Sequence, residues 1–551
     1  MADSVVDGGA VPAPGMSIAN ALNHAYMRSI DFVSGTLNTA LGTLGGDNPD
    51  KNIYLKGRYA PLTKQFHEID CELLEGALPE SLKGAYMRNG PNAALTPEGG
   101  YHLFDGDGMV HAVRFRDGKL SFSNRYVRTK RLEMELSHGR PVFLKIGDFH
   151  GVTGLGKVLL AQALRYLNIV PPPTGLYHTA NTSIVYHAKN VLALGEGGAP
   201  YNLRMLCNGI VETLGAVSTN IEGSKSFTAH PKIDPDSDEM VTFGYNVENK
   251  PYVRVGFVDA DGNAEKTILV HGVSRPVMIH DMALTKNYVF VFDMPLIFDP
   301  AVMVKENKLP FALREDIPGR FGLLRRDAVD DKTMEWFEVP GGFWVSHEAN
   351  AWEDEESKKV HLVAIKISGF DLDSVWQEED REKPYLAHWS FDLEKKEVTH
   401  RRLLSDEGQV MEFPVINPRY KSKKAKYVWV NLAERMNDDY YFVRIGKVNV
   451  RAGLLDADDG LEAVIHLPPG LNCGEMRFVP RHEDPSMCDG EDDGFLIGYA
   501  HENDNSGAYF VAYDAKTMSS NMLCKFRMPT RIPFGFHGYH INESEFVKQL
   551  A

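Results

Sequence analysis

From about residue 55 the chain is written in short runs of Val, Ile, Phe and Tyr, and this texture constrains its fold more than any other feature. Clear runs are 110–115, 241–247, 252–258, 288–293, 360–365, 427–431, 495–499 and 509–513. Turn signals such as Asp117-Gly118, Asp261-Gly262 and Asp493-Gly494 punctuate them. Short β-branched and aromatic runs bounded by Asp-Gly read as strands and tight turns. Many in succession make an all-β sandwich, barrel or propeller. No crisp repeat of the WD type is present. The texture gives a mostly β fold. Length alone would suggest two or more domains for 551 residues, but a propeller of this size can be one unit.

Two segments depart from the texture. Residues 1–15 are rich in Gly, Pro and Ala and read as loose. Ile18, Leu22, Tyr26, Ile30, Val33, Leu37, Leu41 and Leu44 then form one apolar stripe at steps of three and four. This predicts an amphipathic helix in an N-terminal extension, 1–50, packed on the body or lying on a membrane face. The second helical pattern, 155–169, ends before Pro171-Pro172-Pro173. Its wide apolar face includes Leu155, Leu159 and Leu160, so it is either well buried or dips into lipid.

The charge balance, 59 basic against 75 acidic residues, argues against nucleic acid as a partner. The five cysteines are scattered, with no C-x-x-C, which reads as a reduced chain without a disulfide framework or thiolate zinc site. No window has the roughly 20 apolar residues of a membrane-spanning helix. The start, Met1-Ala2-Asp3-Ser4, lacks the pattern of a secretory signal or transit peptide. The cytoplasm is the expectation; a plastid protein without its transit peptide would read the same.

Four of the twenty histidines stand apart by context. They are His230 in Thr-Ala-His-Pro-Lys, His280 in Met-Ile-His-Asp-Met, His347 in Ser-His-Glu-Ala-Asn, and His537 in Gly-Phe-His-Gly. They lie 50, 67 and 190 residues apart, so no local metal motif holds them. They can meet only if the fold brings distant strands to one axis, as the inner strands of a propeller do. Four neutral imidazoles suit iron, copper or zinc, and the residue types alone leave that choice open.

In chain order, the segments 101–109 (YHLFDGDGM), 125–129 (RYVRT), 180–182 (ANT), 229–235 (AHPKIDP), the three further histidine motifs and 491–494 (EDDG) resemble the carotenoid cleavage oxygenase family. The likeness runs from about Lys56 to the C-terminus and is nearest the plant branch. It implies a seven-bladed β-propeller over residues 51–551, capped by a dome that includes roughly 126–175. It also implies a membrane-associated Fe(II) dioxygenase that cleaves a conjugated double bond of a carotenoid or apocarotenoid with O₂, at the 9,10(9′,10′) position as the leading expectation. His230, His280, His347 and His537 become the iron ligands. Glu196, Glu412 and Glu475 become the carboxylates behind them, since a ligating histidine donates its other N–H to an acceptor. Phe104, Phe413 and Phe536 are expected to line an apolar tunnel, and Thr182 to stand against an open iron position. Ser346 and Gly195 are smaller than the family pattern suggests and are expected to widen the pocket. Arg131 falls near a lysine that stilbene-cleaving relatives use to hold a phenol, which disfavours a phenolic substrate. The Asp105-Gly106-Asp107-Gly108 segment lacks the spacing of a calcium loop and reads as a tight turn. Alternatives are cleavage of a stilbene or phenylpropanoid alkene by the same chemistry, a non-catalytic propeller scaffold, and a zinc hydrolase or isomerase.

Overall fold

The computed structural model describes residues 53–550, apart from 168–169, 173, 374–381, 406–407, 437–438, 455–459 and the side chain at 164. The N-terminal stripe at 18–44 lies outside the described residues. The sequence folds into antiparallel strands grouped in seven blades. Four blades are separate four-stranded sheets covering Ser183–Ala216, Lys232–Val270, Ala283–Val339 and Phe343–Arg402. A ten-stranded sheet holds two more blades. They are joined where Leu471–Cys473 pairs with Asp439–Asn449 on one side and Gly494–Glu502 on the other.

The remaining blade closes the ring. Its innermost strand, Gly538–Ile541, comes from the C-terminal end and pairs with Gly84–Arg88 from the N-terminal end. A second tie runs the other way: Glu72–Gly76 is an outer strand on Cys524–Arg527. Inner strands of neighbouring blades touch, Gly538–Ile541 against both Arg477–Pro480 and Ser183–His187. The core lies between blades, and its largest cluster runs from Phe290 and Phe321 through Trp389 to Val430.

The expected strands are present, most extended by a few residues, such as Lys359–Ser368 for 360–365. Asp117-Gly118 forms the expected hairpin turn, with φ of 49° and 74°, the left-handed pair that the twist of a two-residue hairpin favours. Asp493-Gly494 differs. Gly494 opens the strand Gly494–Glu502, and its partner Arg477–Pro480 lies across a long loop. Asp493 holds that loop by accepting from Arg481 and from the Asp489 N–H. A local signal could not separate a hairpin from an anchored strand start.

The second helical pattern forms Gly151–Tyr166, beginning and ending earlier than the spacing predicts. One side packs on the helix Pro300–Glu306. On the other, Leu159 is 58% exposed and Tyr166 87%, followed by Leu167 at 61%. Full burial, one of the two readings of this helix, is excluded. The Asp105 turn ties down the loop before this helix. Its carboxylate accepts the N–H groups of His102, Ile146 and Gly147 at 2.6–2.9 Å. Among the described residues no helix is long and apolar enough to cross a membrane.

Candidate metal centre

Each of the seven blades sends one charged or metal-binding side chain toward the axis. His537 directly precedes the inner strand Gly538–Ile541. His230 and His280 precede the inner strands Lys232–Ile233 and Ala283–Leu284. His347 lies within Phe343–Asp354. The other three blades supply Glu196, just after Asn190–Leu194, Glu412 within Val410–Val415, and Glu475, just before Arg477–Pro480.

The four histidines meet, with one ring nitrogen from each within 4.8 Å of the others. Nε2 of His280 lies 3.1 Å from Nε2 of His230 and 3.2 Å from that of His347. Three rings are fixed from behind. His280 donates its Nδ1–H to Glu196, His347 to Glu412 at 2.6 Å, and His537 to Glu475 at 3.1 Å. A proton held at Nδ1 leaves the lone pair on Nε2. Lone pairs converging at these distances repel unless a cation lies between them. The donor set therefore fits a divalent transition metal. Among the described residues no carboxylate lies within ion-pair distance of His230.

Local irregularities aim these side chains. The strand register shifts on both sides of Glu348, a bulge of the kind that re-aims side chains near functional sites. Consecutive residues can then reach one carboxylate: Ser346 Oγ donates to Glu412 at 2.5 Å and His347 to its other oxygen. A second shift lies between Glu412 and Val415, where Phe413 has φ of 54°. That conformation turns the Phe413 N–H onto the Glu412 carboxylate at 2.7 Å.

Burial opposes charge on the rings of His230, His347 and His537. It holds His230 well below the ordinary histidine range, helped by His537, His280 and His347. It also lowers His537, against the pull of Glu475. At His347 burial lowers but the Glu412 charge outweighs it, so the net shift is upward. Burial would raise Glu475, yet His537, Arg477 and the Gly538 N–H bring it down to about 2.

Thr182 precedes the inner strand Ser183–His187, where other blades carry a histidine, and its carbonyl accepts the His537 N–H at 3.1 Å. Phe104 and Phe536 meet at 5.5 Å between ring centroids. Phe413 stands elsewhere, 5.7 Å from the rings of both His347 and His537. The two residues expected to widen the pocket also make contacts of their own. The Ser346 hydroxyl is turned to Glu412. A Cβ at Gly195 would meet the Ala180 backbone at 3.3 Å, so that glycine serves close packing. Arg131 is buried, with its guanidinium 5.5 Å from the Phe143 ring.

One cluster escaped sequence reasoning. Lys232, Asp281 and Glu348 each follow one of the converging histidines by one or two positions. Lys232 pairs with Asp281 at 2.6 Å and Glu348 at 3.1 Å, and Lys421 with Glu348 at 2.7 Å. Asp281 also accepts the Glu348 N–H at 2.7 Å. This neutral cluster laces together the strands that carry three ligands. The available signal was a charge beside each buried ligand, because buried charges are paired.

The RPE65 (retinal pigment epithelial membrane protein) family model matches residues 59–542. The carotenoid 9,10(9′,10′)-cleavage dioxygenase of Crocus sativus is 35% identical over 503 residues, covering 90% of each chain. The probable chloroplastic carotenoid cleavage dioxygenase 4 of Arabidopsis thaliana is 31% identical over 543 residues, covering 97% of this chain and 87% of that one. In fold, the chain is similar to Pseudomonas brassicacearum lignostilbene dioxygenase, with a TM-score of 0.74 and 23% identity over 90% of this chain and 99% of that one. It is also similar to cobalt-substituted Synechocystis apocarotenoid oxygenase, with a TM-score of 0.69 and 23% identity over 90% and 100%.

Proposed function

The chain belongs to the RPE65 family of carotenoid oxygenases, and from that premise we propose that it is a non-haem iron(II) dioxygenase that cleaves one conjugated C=C bond of a carotenoid or apocarotenoid. Its products are two carbonyl compounds, and its leading bond is 9,10(9′,10′), the one named for its Crocus sativus relative. The observation that carries this reading is the convergence of four imidazoles whose free lone pairs are set by carboxylates behind three of them.

His230, His280, His347 and His537 hold the iron. The chemistry that iron supplies there is activation of O₂, with one oxygen atom delivered to each carbon of the cleaved bond. The protein's own residues do the positioning. Glu196, Glu412 and Glu475 keep a proton on Nδ1 of their histidines and offset the metal charge. Thr182, on the blade that supplies Glu196, borders the side left for oxygen. Phe104 and Phe536 face the polyene, and Phe413 packs against two ligand rings. Ser346 acts through Glu412.

Residues 51–551 are one propeller unit, 1–50 an extension, and the dome includes roughly 126–175. A polyene is stored in lipid, and Leu159 on the exposed side of Gly151–Tyr166, with Leu155 and Leu160 beside it, forms the membrane contact. The cytoplasm is the proposed location; the chloroplastic names of some relatives support the plastid alternative.

The test is reconstitution with Fe²⁺ without oxygen, then O₂ and a panel of carotenoids, apocarotenoids and stilbenes. Aldehydes or ketones from a carotenoid or apocarotenoid, dependent on iron and oxygen, are expected. Product from stilbenes alone would replace the substrate class. No product from iron-loaded protein would refute the activity.

A further inference from the structure

A cavity of about 850 Å³ opens on the face of the propeller away from Phe104, Thr182 and Phe536. Its outer wall carries exposed side chains, Lys83, Lys189, Asp238, Ser544 and Lys548. Its inner end reaches His230, His347 and His537. Chain direction explains the separation. Phe536 and Thr182 precede their inner strands, whereas the cavity is walled by residues that follow, such as Tyr539 and His540 after His537, and Pro235 and Asp238 after His230. Among the described residues, neither Lys130–His138 nor Gly151–Tyr166 contributes to it. On this side, opposite Phe104 and Phe536, three of the histidines are reached past charged and polar groups interspersed with apolar ones such as Phe413 and Val415.

We propose that this axial cavity, with its charged mouth, is the route by which the divalent metal enters and leaves the four-histidine site. The inference rests on the reading of that site as a metal centre. A hydrated divalent cation loses its water shell against aromatic walls, a cost no apolar contact returns. Polar walls replace that shell step by step. The lysines at the throat raise no barrier of their own, because Lys232 and Lys421 are neutralised by Asp281 and Glu348. The second oxygen of Glu348, Oε1, is buried without a hydrogen-bond partner. A buried carboxylate oxygen left unpaired is costly, and Glu348 is among the residues that line the inner part of the cavity.

The experiment follows Co²⁺ uptake by the metal-free protein in stopped flow, reading the visible bands of the bound ion, with Co²⁺ loss to a chelator as the reverse step. Asp238→Lys and Lys548→Glu change the charge of the mouth in opposite senses, and Ser544→Trp narrows it. At low salt Asp238→Lys should slow uptake by about threefold and Lys548→Glu speed it by a similar factor, both differences fading as salt screens them. Ser544→Trp should slow uptake and loss in the same proportion, so that affinity is unchanged. Leu159→Glu on the dome should leave the rates as they are. Unchanged rates in all three cavity variants, or two charge variants that shift in the same direction, would overturn the route while leaving the metal centre intact. Failure of the wild-type protein to bind Co²⁺ at all would instead remove the metal centre, and the route with it.

Discussion

Replacing Glu412 with Gln takes away a carboxylate that accepts three hydrogen bonds, from Ser346, His347 and the Phe413 N–H. An amide presents an N–H₂ to at least one of these donors, and the His347 ring loses its orientation. Glu412→Gln should weaken metal binding by about 10–100-fold, the usual cost of losing such a partner. Competition with a graded chelator measures this directly, and an unchanged affinity would show that Glu412 does not position His347. The four converging histidines were legible because each sits in a short motif of family type. The bulge that lets Ser346 and His347 share one carboxylate was not, since a register shift leaves no local mark on the sequence. Ser346 thus reads as spare volume in one dimension and as a hydrogen-bond donor in three. The Lys232–Asp281–Glu348 cluster was half visible, as charges next to ligands; their mutual pairing depends on which blades are neighbours.

Two helices carry predictions of their own. The C-terminal helix Glu543–Leu550 closes over the cavity mouth with Phe546 buried, and its Gln549 side chain bonds both backbone groups of Met205 on a neighbouring blade. Glu545 caps its first turn by accepting the Asn542 N–H, while Asn542 accepts the Glu545 N–H. Burial pushes the Glu545 carboxyl up to about 7. The folded protein therefore holds a proton that the unfolded chain releases near its ordinary value of 4.5. Between these values the folded state binds more protons, so Glu545 makes stability fall as pH rises, by about 3 kcal/mol in all, with the slope fading out over the pH unit above 7. Glu545→Gln should remove that slope and be the more stable protein at pH 8. Denaturant unfolding of both proteins at pH 5 and pH 8 checks it, and parallel pH profiles would contradict it. The helix Gly151–Tyr166 was legible as a helix from its spacing, but its exposure was not, because an apolar face reads alike in a core and at a lipid surface. With Leu159 and Leu160 changed to Glu, the protein should leave liposomes that hold the wild type while its metal stays bound. A co-sedimentation assay with metal analysis decides this, and retained liposome binding would move the membrane contact elsewhere.

At the scale of the molecule, the propeller turns distance in sequence into proximity at an axis. Seven blades from Gly84 to Ile541 each place one of four histidines or three glutamates toward the centre, and the seven residues are spread from Glu196 to His537. Strand texture gave the all-β class, since alternation is local. The blade count and the closing pair, Gly538–Ile541 with Gly84–Arg88, join positions more than 400 residues apart. The resemblance implied that count; nothing in the periodicity did. The same geometry sets Phe104 and Phe536 on one side of the histidines and a cavity with a charged mouth on the other. The most direct test of this account is iron content per chain after anaerobic loading and removal of excess metal, with the donor atoms read by X-ray absorption, in the wild type and in the four single His→Ala variants. The account predicts one iron per wild-type chain, bound through imidazole nitrogens, and reduced iron in each variant. A wild-type chain without iron, or full iron in His230→Ala, His280→Ala, His347→Ala or His537→Ala, would contradict it.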